Sequence, residues 1–396
     1  MPDVLIDITR LIYRRWIRKL PTGVDRVSLE YLRHYAGTAK AVLNWGPFGS
    51  VLSAADSERA FGMLLDPVAD GAGEVRRLIA KACVAGWWDS TIAGSFMFNT
   101  GHLGLEHKRY AAMLRHRGVR PVFMVHDLIP LTHPEYCRPG EREHHRVRMH
   151  NAVSMGHGII VNSQDTLATL VRFVDSSGLH MLPAIVAPLA PGLPKLSHAA
   201  RPLPRPYFVV LSTIEPRKNH LLLLQIWRRL VERLGDAAPH LVVIGQHGWE
   251  CENVIDLLER CEQLKGFVHE HSACSDAELV TFLAHAQALL FPSFVEGFGL
   301  PLVEALSLGV PAIASDIAVF REFAGEVPDY ADPLDGARWM ALIEDYAKPQ
   351  STFRAAQMDR LMSFRSPSWG QHMAKVDEFL AMLESGACST GQSRRP

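Results

Sequence analysis

Glu296 and Glu304 stand eight positions apart around the turn Gly297-Phe298-Gly299-Leu300-Pro301. Two carboxylates so spaced can accept hydrogen bonds from several hydroxyls at once. Upstream, AQALLFPS reads as a short buried strand closed by Pro292 and Ser293. Downstream, Leu302, Val303, Leu306 and Leu308 recur at helical spacing, and Pro301 suits the first helical position, where its missing N–H costs nothing. Strand, glycine turn and helix start therefore follow one another. Backbone N–H groups around Phe298, Gly299 and Leu300 point out of such a helix start and favour an anion. Glu296 falls in the loop and Glu304 about one turn into the helix. Hydroxyl-accepting acids beside an anion cradle suit a sugar joined to a nucleotide diphosphate.

The full string E-G-F-G-L-P-x-x-E-A, with P-S before it and G-x-P-x-I-A-S-D after it, resembles the E-x7-E motif of the retaining glycosyltransferases of family 4. That resemblance implies the GT-B fold: two Rossmann-like, doubly wound parallel-sheet α/β domains facing an interdomain cleft. A second segment, LSTIEPRKNHLLLL (211–224), leaves a buried strand and enters a helix with Arg217 and Lys218 in the turn. Arg offers a planar fork and Lys a point charge, and together they neutralise a diphosphate. The segment resembles the E-P-R-K-N form of family 4 mannosyl- and rhamnosyltransferases, which implies phosphate binding by Lys218. Many members place an arginine directly after the strand, where this chain has Ser212, so Arg217 becomes the expected second cation. Glu215 is positioned to pair with either of them.

A third segment, VFMVHDLIPLTHPE (122–135), ends a strand at His126, the carboxyl end at which ligands bind in open α/β sheets. It resembles the family segment whose histidine contacts donor sugar or acceptor; His133 is a looser candidate. Asn99, Thr100, Gly101 and His102 follow another strand and are expected at the same face. The fourth segment, RLIYRRWIRKLPTGVDRV (10–27), carries Gly23, which in the family lets backbone approach the donor phosphates. Before it, Arg10, Arg14, Arg15, Arg18 and Lys19 interleave with Leu11, Ile12, Trp16, Ile17 and Leu20. Such a stretch lies on an anionic membrane or grips a lipid diphosphate, or it is a solvated loop with a half-buried Trp; both readings stand. His144, His145 and His150 read as the polar face of a helix. With no H-E-x-x-H, no Cys/His ligand spacing and no D-x-D, neither a metal nor another cofactor is expected.

The elements that must hold these residues alternate along the chain. Strands are expected at Val4–Ile8, Ala41–Trp45, Ser95–Phe98, Pro121–His126, Gly158–Asn162 and Ile185–Pro188, with helices from Thr22-Gly23 and from Ser163 as N-cap. A Pro-rich linker (188–206) interrupts them. Alternation restarts with strands Tyr207–Ser212, Leu241–Gly245, Phe267–Glu270, Ala288–Phe291 and Ala312–Ala314. Helices are expected from Asn219, over Val254–Leu264, from Ser275 (a capping box with Glu278) and over Ser368–Leu383. The expected domains are 1–195 and 205–365, and the GT-B resemblance implies that the first lies on the acceptor side, that the second binds the nucleotide sugar and that a helix within 366–386 crosses back to the first domain. The Ser/Gly/Arg-rich tail is expected to be disordered. No G-x-G-x-x-G follows either first strand, which argues against a dinucleotide oxidoreductase.

At 396 residues, 48% hydrophobic, 21% charged and net charge −1, the composition is that of a globular chain with no global field to draw nucleic acid. Six cysteines without a C-x-x-C pair and no secretory h-region point to the cytoplasm, with peripheral contact at the inner membrane face if the basic stretch docks. The expected activity is transfer of a hexose, mannose from GDP-mannose first, with GDP-fucose, dTDP-rhamnose or a UDP-hexose as alternatives. The resemblance implies a saccharide or polyprenyl-diphosphate-linked acceptor in exopolysaccharide, capsule or O-antigen synthesis. A different GT-B activity, epimerase or phosphorylase, and a non-enzymatic sugar-binding protein are the rival readings.

Overall fold

The computed structural model describes residues 3–19, 21–45, 48–66, 71–85, 92–107, 110, 114, 117–194 and 200–386. Leu20, part of the Pro-rich linker, Cys388 and the tail from 387 lie outside the described residues.

Contacts divide the chain into two units: the described parts of Met1–Thr132, Pro139–Leu189 and Trp369–Pro396, and those of His133–Arg138 and Ala190–Ser368. In the first, β1 (Val4–Asp7), α1 (Thr9–Trp16), α2 (Gly23–Tyr35), β2 (Lys40–Trp45), β3 (Phe48–Val51), α3 (Ala54–Leu65) and α4 (Ala72–Ala85) come before β4 (Phe96–Asn99). Then follow β5 (Arg120–Val125), α5 (Ile129–Thr132), α6 (Glu141–Met155), β6 (Gly158–Val161), α7 (Gln164–Ser176) and β7 (Ala184–Val186). The sheet order is β3-β2-β1-β4-β5-β6-β7. All neighbours are parallel except β2 and β3, which pair antiparallel from Val42–Val51 to Trp45–Phe48. Parallel strands covered on both faces need uninterrupted apolar runs, and β5 and β6 are buried nearly throughout.

The second unit runs β8 (Tyr207–Leu211), α8 (His220–Leu234), β9 (His240–Ile244), α9 (Glu252–Arg260), β10 (Val268–His271), α10 (Asp276–Ala284) and β11 (Leu289–Phe291). It continues with α11 (Leu300–Ser307), β12 (Ala312–Ser315), α12 (Ala318–Ala324), β13 (Asp329–Ala331), α13 (Gly336–Tyr346) and α14 (Thr352–Leu361). All its pairs are parallel, in the order β10-β9-β8-β11-β12-β13. Phe208, Trp227, Trp339 and Tyr346 fill one side of this sheet, and Tyr207, Phe291 and Phe320 the other. Each such burial contributes about 1.5–3 kcal/mol. The last helix, α15 (Trp369–Ser385), packs in the first unit, where His372 meets the Tyr31 hydroxyl and Asp377 accepts from Tyr35.

Several elements depart from the sequence reading. Residues 9–16 form α1 rather than a loop: Asp7 accepts from the Thr9 N–H at 2.9 Å, and Ile8, Leu11 and Ile12 bury one face at i, i+3, i+4. Strands β3 and β13 were not expected, being short, with glycine in one and two polar residues in the other. The expected helix Val254–Leu264 is α9 followed by a separate 3₁₀ turn at Glu262–Leu264. Helix α11 starts at Leu300, which makes Pro301 its second residue. His145 is not on a polar face: it is buried, with Nε2 donating to the Asp127 carbonyl. The caps follow expectation, Ser163 accepting from Thr166 N and Ser275 exchanging bonds with Glu278.

Candidate functional site

In the second sheet the chain order reverses between β8 and β11, the switch point beyond whose carboxyl ends ligands bind in open α/β sheets. The turn after β8 brings Glu215, Arg217 and Lys218; the loop after β11 brings Ser293 and Glu296. Although 78 positions separate Lys218 from Glu296, they form a direct buried ion pair. Arg217 reaches the other carboxylate oxygen at 2.9 Å, and Ser293 Oγ donates to the first at 2.7 Å. Backbone fastens the two loops as well, with Phe294 N–H donating to the Arg217 carbonyl at 2.9 Å. Arg217 also meets Glu215 at 2.7 Å. The cluster thus balances two cations against two acids, rather than presenting the net positive surface that Arg217 and Lys218 alone suggested.

Charge states follow from this packing. Burial alone would raise Glu296, but Lys218, Arg217 and the hydrogen bonds outweigh it and hold the carboxyl down at about 2. Burial and the neighbouring Arg217 pull Lys218 below the usual ammonium range, partly offset by Glu296. His220, first residue of α8, falls to about 3 through burial and the charge of Lys218, so it is neutral beside the cations. Its Nε2 lies 3.4 Å from Ser212 Oγ. A Cβ on Gly245 would sit 1.9 Å from the Ser212 carbonyl oxygen, so only glycine lets the turn after β9 pack against Ser212.

A carboxylate offers roughly four lone-pair sites. Lys218 and Ser293 occupy Oε1 and Arg217 occupies part of Oε2, which leaves Oε2 room for a further donor. Gly299, at φ +106, turns the loop into α11, and a Cβ there would lie 2.6 Å from the Phe320 ring. No side chain caps α11, Phe298 stacks on Phe323 at 4.8 Å, and Glu304 is buried on the helix.

The first unit has its own reversal between β1 and β4, and polar residues close its strands. Asp7 ends β1, Asn99 ends β4, and His126 and Asn162 follow β5 and β6. His126 is buried, and its Nε2 lies 2.7 Å from the Thr100 carbonyl. A carbonyl only accepts, so Nε2 carries the proton and Nδ1 the lone pair. Burial lowers its pKa, so the ring is neutral above its ordinary titration range. Asn162 donates to the His126 carbonyl at 2.8 Å. Asn99 orders the turn that the sequence left without a role: Oδ1 accepts from Gly101 and His102 N–H, and Nδ2 donates to Tyr110, which donates to Asp7 at 2.8 Å.

Gly23 opens α2 behind Thr22. Asp25 accepts from Thr22 N at 2.7 Å and pairs with Arg10 at 2.7 Å and Arg14 at 2.8 Å. Two of the five basic residues read as a docking stretch are therefore spent on a buried acid inside the unit. Arg15 donates to the Asp66 carbonyl at 3.0 Å. The sequence does not single out Ser293 or Asp25 as contributors: Ser293 acts through Glu296 three residues on, and Asp25 through Arg10 and Arg14 on the preceding helix. For Ser293 the P-S before the acidic motif was the one available signal.

The family described as "Glycosyl transferases group 1" matches residues 197–327. The Escherichia coli serotype-specific mannosyltransferase WbdA is 28% identical over 277 residues, 64% of this chain and 34% of WbdA. The O-antigen chain mannosyltransferase B of Escherichia coli is 29% identical over 229 residues, 56% of this chain and 60% of that protein. The chain thus spans about a third of WbdA and three fifths of mannosyltransferase B. Among solved structures, Anabaena Alr3699/HepE in complex with UDP and glucose superposes with TM-score 0.67 at 13% identity, covering 96% of this chain and 100% of that one. Sucrose-phosphate synthase from Thermosynechococcus elongatus gives TM-score 0.65 at 15% identity, covering 98% and 100%. The chain has the GT-B fold, and within it residues 197–327 are similar to the glycosyl transferases group 1 family.

Proposed function

We propose that this chain is a retaining glycosyltransferase of family 4 that moves mannose from GDP-mannose to a saccharide or polyprenyl-diphosphate-linked acceptor in surface-polysaccharide synthesis. One observation carries the reading: Lys218, Arg217, Ser293 and Glu296 converge at the switch point of the second sheet, beside the uncapped start of the Glu304 helix. The mannosyltransferase names of the relatives support the sugar.

In this reading the diphosphate draws Lys218 and Arg217 as negative charge grows on the leaving phosphate. Preorganised donors aimed at that charge are the largest catalytic contribution. Glu304 accepts from the ribose hydroxyls. Glu296, already holding both cations, uses its remaining capacity on Oε2 for a hydroxyl of the transferred sugar. His126, a neutral Nε2–H tautomer, offers Nδ1 as an acceptor to donor sugar or acceptor. The leaving phosphate takes the acceptor proton on the face it departs from, so the anomeric configuration is kept. Arg217 and Lys218 supply the positive charge that a divalent ion supplies elsewhere.

A thermal-shift series with GDP, UDP, dTDP and their sugars tests the donor, because a ligand bound by the native state alone raises Tm. GDP and GDP-mannose are expected to give the largest rise, with GDP release and α-linked product unaffected by EDTA. No nucleotide raising Tm, or product of inverted configuration, overturns the proposal.

A further inference from the structure

Residues His133–Arg138 stand in the chain between α5 and α6, yet they belong to the second unit. Pro134 opens a 3₁₀ turn there, in which Tyr136 N–H donates to the His133 carbonyl at 3.1 Å and Cys137 N–H to the Pro134 carbonyl at 3.1 Å. The turn sets the Tyr136 ring against that of Phe294, with 5.3 Å between centroids and 4° between planes. His133 stacks on Tyr136 in turn, at 6.0 Å and 18°. Phe294 lies in the loop that carries Ser293 and Glu296. We propose that Tyr136 is a positioning residue, whose stack on Phe294 fixes the loop that aims the Glu296 carboxylate.

The loop has reason to need this fastening. Phe294 N–H donates to the Arg217 carbonyl at 2.9 Å, and the Val295 carbonyl accepts from the Arg217 guanidinium at 3.2 Å. Both of these bonds run to one residue. Beyond Glu296 the chain passes through Gly297 and then Gly299 at φ +106, and glycine leaves the backbone most free. An offset-parallel ring pair restrains Phe294 through its side chain as well, and both rings are half-buried. The stack uses the ring of Tyr136 and not its hydroxyl. The consequence for turnover rests on the proposed function: a loosened Glu296 misplaces the transferred sugar, whereas Arg217 and Lys218 keep their own turn, Pro216–Lys218, for the diphosphate.

Amide hydrogen exchange of the ligand-free full chain reads the positioning without any donor. Tyr136→Ala should speed exchange at Phe294 about fivefold, the factor that one aromatic pair contributes, while exchange in β8 stays parental. Phe294→Leu, which stays apolar but removes the stack, should speed exchange across the same loop, and Tyr136→Phe should not. With GDP-mannose, Tyr136→Ala should lower kcat about tenfold to a hundredfold, as misplacing a reacting group does. Inhibition by GDP should be unchanged, and Tyr136→Phe should turn over like the parent. Parental loop exchange in both Tyr136→Ala and Phe294→Leu overturns the proposal. So does parental kcat in a Tyr136→Ala chain whose loop exchanges faster, or an equal loss in Tyr136→Phe, which would give the role to the hydroxyl. A parent chain that transfers from no nucleotide sugar fails the proposed function instead, and the exchange comparison still decides whether Tyr136 fixes the loop.

Discussion

Lys218 stands both in an ion pair and, in the proposed function, at the diphosphate, and replacing it together with Glu296 separates the two roles. Lys218→Met keeps the side-chain volume and removes the charge, leaving the buried Glu296 to Arg217 and Ser293. Breaking one side of a buried pair costs about 3–5 kcal/mol, and the remaining Arg217 contact places the loss near the lower end. Glu296 is held at about 2 against an ordinary value of 4.5, a difference equivalent to about 3 kcal/mol. Because its folded pKa is depressed, that stabilisation is complete above about pH 4.5 and disappears as pH falls through about 2. In Lys218→Met the carboxyl rises, and acid unfolding moves to higher pH.

Glu296→Gln should destabilise comparably by leaving Lys218 buried beside Arg217. Lys218→Met/Glu296→Gln removes both charges and should recover most of the stability, since a buried pair replaced as a whole is close to neutral. Turnover should not recover. Loss of one preorganised donor to a developing charge lowers kcat about a hundredfold to a thousandfold, and the double variant still lacks it. Urea unfolding at neutral and acid pH, with initial rates of GDP release from GDP-mannose, reads both quantities. Near-parental turnover in the double variant would show that Lys218 and Glu296 only balance each other and that neither acts on the donor. Single variants that unfold at the parental urea midpoint would refute the buried-pair energetics.

Gly299→Ala places a Cβ 2.6 Å from the Phe320 ring at φ +106, so a loss of about 2 kcal/mol in urea unfolding is expected; parental stability would mean that the turn relaxes freely. His372 supplies a pH prediction for the first unit. Its Nδ1 lies 3.1 Å from the Pro188 carbonyl and so carries the proton, while Nε2 accepts from Tyr31. Burial depresses it to about 4 from 6.5, so the unfolded chain binds the extra proton first. Stability should be complete above about pH 6.5 and fall by about 3 kcal/mol as pH drops through 4. His372→Gln should flatten that slope, and an unchanged slope would exclude His372 as its source.

The elements that carry the site could be read in advance because their signals are local. Apolar runs closed by Pro, Ser or Gly marked β8 and β11, and helical spacing marked α11. The turn residues placed Lys218 and Glu296 at strand ends. Helix α1 was not legible, because residues 10–19 are apolar and basic in alternation that fits a loop or a helix. The Asx-type bond from Asp7 and the docking of Leu11 and Ile12 select the helix. The buried position of His145 was hidden for a related reason: the polar residues around it signal solvent, while its Nε2–H finds a carbonyl on another loop.

By itself the sequence determined which residues bear charge or hydroxyls, and that they fall where strands end and helices begin, because backbone propensity and side-chain period act over a few neighbours. Tertiary structure alone decided their partners. Strand order places β8 beside β11, so Lys218 and Arg217 meet Glu296 rather than water. In the first unit the packing of α1 on α2 gives Arg10 and Arg14 to Asp25 and turns Trp16 outward. Charge pairing depends on distances across the fold, and those distances are set by how the sheets and helices stack.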